Sequence, residues 1–138
     1  YYSDEQVGVR QYYADPDRGD AELALFGTTE FADDHEGIAI FERDSTTGYI
    51  VVSDQGAGRI HLFRREGSAT DPFDHQRVAI IPVRASETDG LEVTHQALGE
   101  AFPEGLLVMM SNRGAFHYYD WRDVQRIIDA LAPVTAAP

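Results

Sequence analysis

Acidic and amide side chains recur in polar turns of this chain: Asp4-Glu5, Glu36-Gly37, Asp54-Gln55-Gly56 and Asp89-Gly90. Carboxylates that converge with no basic residue among them repel one another and raise each other's pKa, unless a cation joins them. Hard oxygen ligands supplied by loops are what Ca2+ takes, about six to eight of them at roughly 2.3 to 2.6 Å. A bound cation also reverses the local field, so an acidic face can then hold an anion such as phosphate. The chemistry open to these residues is calcium binding and, with calcium present, phosphate binding. Asp-Gly and Glu-Gly are equally ordinary turn dipeptides, and residue type alone leaves both readings open.

These residues must be positioned by short strands. The stretch Asp33 to Gly67 alternates apolar runs (Ile38 to Phe41, Tyr49 to Val52, Ile60 to Phe63) with polar punctuation, the signature of strands and turns. The same unit returns on both flanks. Ser53-Asp54-Gln55-Gly56-Ala57-Gly58 is echoed by Ser3-Asp4-Glu5-Gln6-Val7-Gly8 and more faintly by Ser111 to Phe116. Glu36-Gly37-Ile38 is echoed by Asp89-Gly90-Leu91. Copies lie roughly 50 to 58 residues apart, a spacing at which four-stranded units build β-propellers.

The expected class is therefore all-β: about three four-stranded blades of a propeller, with a short C-terminal helix. Residues 1–31 read as an incomplete blade, 32–84 as a complete one, and 85–131 as the last blade with its helix. Residues 132–138 read as a frayed Ala-Pro tail. The helix is expected over Asp123 to Leu131, with Val124, Ile127, Ile128 and Leu131 on its apolar face. Three blades alone would leave unpaired edges. Tyr1-Tyr2 reads as the middle of a strand, so an earlier segment is expected, and a missing propeller half or self-association with it.

Strand direction alternates in a meander, so the loop entering the first strand and the loop joining the second to the third share one face. That topology gathers Asp4-Glu5, Glu36, Asp54-Gln55 and Asp89 there, with Glu36 and Asp89 nearest the central axis.

Composition narrows the partners. The chain has 138 residues and a formal charge of -13, every basic residue is Arg, and there is no cysteine. Such a surface repels nucleic acid and anionic membranes, so neither is expected as a partner. Disulfides, zinc-thiolate sites and cysteine nucleophiles are excluded. The five histidines lack ligand spacing and are expected to be solvated or half-buried, with His35 alone near the acidic face. Ser53 and Ser111 lack a nucleophile elbow.

The sequence resembles the β-propeller phytases, the calcium-dependent alkaline phytase family. The likeness lies in Asp34-His35-Glu36-Gly37-Ile38-Ala39-Ile40-Phe41, Gly48 to Gly56, Thr88 to Val93, Leu98 to Val108 and Tyr119-Asp120-Trp121. It implies the C-terminal half of a six-bladed disc, secretion to an extracellular or periplasmic space, and several bound Ca2+ ions. It further implies hydrolysis of myo-inositol hexakisphosphate, taken as its calcium complex, by a metal-activated water (3-phytase type). By resemblance Glu5, Glu36 and Asp89 become calcium ligands at the cleavage site and Gln55 a residue of that site. Asp34 and Asp4 are added as metal ligands.

The chain also departs from the pattern. The family's phosphate-gripping basic residues lie in its N-terminal half, and Ala57 and Gly58 stand where asparagines usually follow Gln-Gly. The acidic stretch before Thr88 is reduced to Glu87, and the insertion before the last strand to Ser111-Asn112-Arg113-Gly114. Half a site is expected to be inactive alone. The other reading is a non-catalytic calcium-binding propeller fragment that serves assembly or ligand binding.

Overall fold

A computed structural model describes residues 1–132. The expected tail, 132–138, thus lies outside the described residues apart from Ala132.

Among the described residues ten strands form three antiparallel sheets. The first holds β1 (Tyr2–Asp4), β2 (Gly8–Gln11) and β3 (Ala24–Phe26). The second holds β4 (His35–Glu42), β5 (Gly48–Asp54), β6 (Arg59–Arg64) and β7 (Arg77–Pro82) in sequential order. The third holds β8 (Leu91–Thr94), β9 (Leu106–Ser111) and β10 (Ala115–Asp120). The second sheet lies between the other two: β4 runs against β8 on one side and β1 on the other.

Strand β5 explains why the middle sheet organises the molecule. Successive side chains of a strand point to opposite faces. Tyr49 and Val51 enter the larger core, shared with Leu107 and Met109 of the third sheet, while Ile50 and Val52 enter a second core with Val9 of the first. Burial on both faces is why this strand reads as a continuous apolar run. The same alternation continues into Ser53 and Asp54, both fully buried, and sends one toward the third sheet and the other toward the first.

The helix α1 spans Trp121–Leu131, two residues earlier than the sequence predicts, because the Asp120 side chain caps it by accepting from the Arg122 amide at 3.0 Å. Trp121, rather than Ile127 or Leu131, completes its buried face with Val124 and Ile128. The Trp121 ring stacks on Phe41 with centroids 3.6 Å apart, tying the helix to the middle sheet. β10 pairs with β9 alone among the described residues, and its Phe116 and Tyr118 are exposed.

Candidate metal centre

The acidic face is built around a break in one ladder. Pairing of β4 with β5 shifts register between His35 and Ile38, so Glu36 and Gly37 occupy a bulge, a feature that re-aims side chains. The Gly37 amide, left without a ladder partner, donates to Ser53 Oγ at 2.9 Å, and that hydroxyl donates on to Thr88 O at 3.2 Å. One buried serine thereby joins the entries of β4 and β8. A β-carbon on Gly37 would lie 2.7 Å from the Leu91 amide nitrogen, so only glycine allows these two inner strands to approach this closely.

The consequence is a cluster. Carboxylate oxygens of Glu5, Asp34 and Glu36 lie within 4.8 Å of one another. Glu5 comes from the β1–β2 turn, which is closed by Val7 N donating to Asp4 O at 2.9 Å and uses a left-handed Gln6 at φ 62°. Burial, then the charges of Glu5, Asp89 and Asp34, push the Glu36 carboxyl above its ordinary range. Gln55 ties the cluster together: its amide nitrogen donates to Asp34 O at 3.2 Å and its Nε2 to Asp89 Oδ1 at 2.5 Å. Glu5, Asp34, Glu36, Gln55 and Asp89 are thus brought into one region by residues from all three sheets.

Two acidic residues behave otherwise. Asp4 Oδ2 accepts from Arg10 Nε at 2.6 Å, so Asp4 faces a guanidinium and lies outside the cluster. Asp4 is the last residue of β1 and Glu5 the first of the turn, and the change of chain direction there separates their side chains. Asp54 is buried and structural. It accepts from the Ala32 amide at 3.0 Å, the Asp33 amide at 3.2 Å and Arg59 Nε at 2.7 Å. Burial pushes its pKa up, but those donors outweigh it and hold the carboxyl below its usual range.

The histidines are more buried than the sequence suggests. His35, His61 and His75 are all buried, and Phe31 is sandwiched between the His35 and His61 rings with centroids 3.7 Å away on each side. His35 Nε2 donates to Gly27 O at 2.9 Å, so it supports the loop that carries Asp34. Ser53 is the residue whose part the sequence reading missed. Its signal was its place one step before Asp54 in a strand buried on both faces.

The donor set suits a hard divalent cation. Oxygens within 4.8 Å of one another need only small side-chain adjustments to meet on an ion at about 2.3 to 2.6 Å. Asp34 Oδ1 is buried and has no hydrogen-bond partner, an expensive state for a carboxylate oxygen that metal coordination would relieve. A cavity of about 270 Å³, lined by Gln6, Asp33, Asp34 and His35, opens beside the cluster. A larger one, about 470 Å³, lies at the other end of the middle sheet against α1 and contains none of these carboxylates.

A family model described as Phytase matches residues 1–115 of the chain, a span that contains every carboxylate of this cluster.

Proposed function

The chain belongs to the phytase family, a family of phosphoric monoester hydrolases, and from that premise we propose that it is the C-terminal part of a calcium-dependent phytase. The observation that carries this reading is the convergence of Glu5, Asp34 and Glu36, with Asp89 acting on Glu36, in an arrangement whose mutual repulsion calls for a divalent ion. Those four side chains would hold calcium. Bound there, calcium would lower the pKa of a coordinated water and polarise a phosphoryl oxygen.

The chain's own residues do the positioning. Gln55 holds Asp89 by a hydrogen bond and, through its backbone, holds the Asp34 segment. Ser53 locks the entries of β4 and β8, so Glu36 and Asp89 keep their separation. In the reaction water oxygen bonds to phosphorus while the ester P–O bond breaks. The departing oxygen leaves as a hydroxyl with one of the water protons, and inorganic phosphate is released. Myo-inositol hexakisphosphate as its calcium complex is the substrate in this reading, with the 3-phosphate cleaved and the enzyme secreted.

In this reading the three sheets are blades on one side of a closed disc. The remaining blades, with the cations that grip phosphate, come in this reading from a preceding part of the protein or from a second chain. Phosphate release from inositol hexakisphosphate by the whole protein tests the proposal, with calcium, with a chelator, and with the variant Glu36→Gln. Chelator and variant should each abolish release from a folded protein. Release that survives either one refutes the assignment.

A further inference from the structure

Residues 27–34 join β3 of the first sheet to β4 of the second with no strand or helix of their own, and they deliver Asp34 to the cluster. A connection of that kind has many conformations open to it unless its polar groups are held from outside. Here the middle sheet holds it at one residue after another. Arg77 Nη1 donates to Thr29 O at 3.0 Å, and the same side chain pairs with the Glu30 carboxylate. Arg59 Nη2 donates to Glu30 O. The amides of Ala32 and Asp33 donate to the two oxygens of Asp54, at 3.0 and 3.2 Å, and the Gln55 amide donates to Asp34 O at 3.2 Å.

Asp54 carries the centre of this arrangement. Its side chain has no exposure, and Arg59 Nε, 2.7 Å from the oxygen that takes the Ala32 amide, balances its charge. A carboxylate has acceptor sites for all three donors, whereas an amide oxygen has two. Successive backbone amides aimed at one anion require a turned backbone, so Asp54 selects the turned form of Ala32-Asp33. Glu30, at φ 67°, is in the left-handed region, and the bond from Arg59 to its carbonyl supports that strained residue. One residue beyond the turn, Asp34 Oδ1 is buried with no hydrogen-bond partner. The loop is thus fixed in a form that keeps a ligand oxygen bare, a costly state that a cation relieves.

We propose that Asp54, paired with Arg59, is a positioning residue for calcium: it fixes the turn at Ala32-Asp33 so that the Asp34 carboxylate already stands beside Glu5 and Glu36 before the ion arrives. The proposal rests on the calcium reading of that cluster. It makes metal affinity depend on a buried side chain that touches no metal, because a ligand ordered in advance loses less freedom on binding.

The whole protein is titrated with calcium chloride alone by calorimetry, as wild type, Asp34→Asn, Asp54→Asn, Arg59→Gln and the double variant Asp34→Asn/Asp54→Asn. Asp54→Asn keeps the size and removes acceptor sites. It should weaken calcium about tenfold, the lower end for loss of a group that orients a metal ligand. Arg59→Gln should weaken it by a smaller factor. In the double variant the two losses should not add: without the Asp34 carboxylate nothing is left for Asp54 to position, so affinity should match Asp34→Asn within about twofold. Ile128→Val, which lowers stability from the core beside α1, should bind calcium as wild type does.

Wild-type calcium affinity in Asp54→Asn, beside a weakened Asp34→Asn, overturns the proposal. A double variant that shows the product of both single losses also overturns it, since Asp54 would then act on the fold as a whole. If Asp54→Asn does not fold, Arg59→Gln decides, and unchanged affinity there overturns the proposal. Unchanged affinity in Asp34→Asn removes the calcium reading and this role together. Calcium binding that depends on Asp34 and Asp54 in a protein that releases no phosphate from any ester keeps this role and refutes the phytase reading instead.

Discussion

Gly37 on β4 stands so close to Leu91 on β8 that a β-carbon would come within 2.7 Å of the Leu91 amide nitrogen. That contact sets the distance between the strands that deliver Glu36 and Asp89. Gly37→Ala must separate them or strain the bulge, at a cost of about 1 to 3 kcal/mol. Urea unfolding should show that loss, and calcium titration should show weakened binding. A variant with wild-type calcium affinity would mean that the close approach does not shape the site.

Ser53 makes a separable contribution. Its hydroxyl accepts from Gly37 N and donates to Thr88 O in a fully buried setting, so Ser53→Ala leaves both groups without a partner. The expected cost is about 1 to 3 kcal/mol, with reduced phosphate release. Full activity in a folded Ser53→Ala protein would remove this residue from the positioning role.

Glu36 should respond in opposite directions to calcium and its absence. Like charges surround it, so Glu36→Gln relieves repulsion when calcium is chelated, and the variant should then melt at or above the wild-type temperature. With calcium the wild type gains stability by mass action and the variant gains less. Equal calcium-induced shifts in the two proteins would show that Glu36 is not a ligand.

Asp4 and Glu5 are neighbours in sequence with different partners. Asp4→Asn loses a half-exposed pair with Arg10, worth about 1 kcal/mol, and should leave calcium affinity within about twofold. Glu5→Gln should weaken it roughly tenfold or more. The reverse pattern would place the ligand on the other residue.

That pair also marks how far the sequence could be read. The first three strands of the middle sheet were legible from short apolar runs and turn residues, and the meander rule put Glu5, Glu36, Gln55 and Asp89 on one face, because strand direction and loop order follow from the repeat alone. Which of two adjacent side chains turns inward depends on the exact strand end, a matter of one residue, so the meander rule by itself did not separate Asp4 from Glu5 or Asp54 from Gln55; the resemblance singled out Gln55 and put Glu5 at the cleavage site, but kept Asp4 as a metal ligand. The bulge at Glu36-Gly37 was hidden because its cause, Ser53 Oγ, lies 16 residues away in sequence. The early start of α1 came from the Asp120 cap, and the burial of Trp121 from stacking on Phe41, neither of which periodicity records. His61 was hidden for the same reason, since the ring that covers it, Phe31, lies in a loop.

His61 gives the fold a dependence on mild acid. Its side chain is fully buried, stacked on Phe31, with both ring nitrogens lacking a hydrogen-bond partner; Asp54 Oδ2 lies 3.4 Å from Nε2, a charge contact without bonding geometry. Burial lowers its pKa to about 4, partly opposed by Asp54 and reinforced by Arg59. The unfolded chain, with a histidine pKa of about 6.5, takes up the proton first as pH falls. Stability is therefore full above about pH 6.5, declines between about 6.5 and 4, and levels off below, for a loss on the order of 3 kcal/mol. Burial likewise lowers the His75 pKa, so it adds to the same slope. Asp54, whose carboxyl is held below its usual range, loses its contribution only in stronger acid, below its unfolded pKa of about 4. His61→Phe keeps the aromatic stack and removes the titrating group. Urea midpoints measured from pH 7 to pH 4 should fall less steeply for that variant than for wild type, the remaining slope belonging to His75. Identical slopes in the two proteins would mean that His61 accepts a proton in the folded state as readily as in the unfolded one, which a ring enclosed between Phe31 and the core could do only if that packing opens.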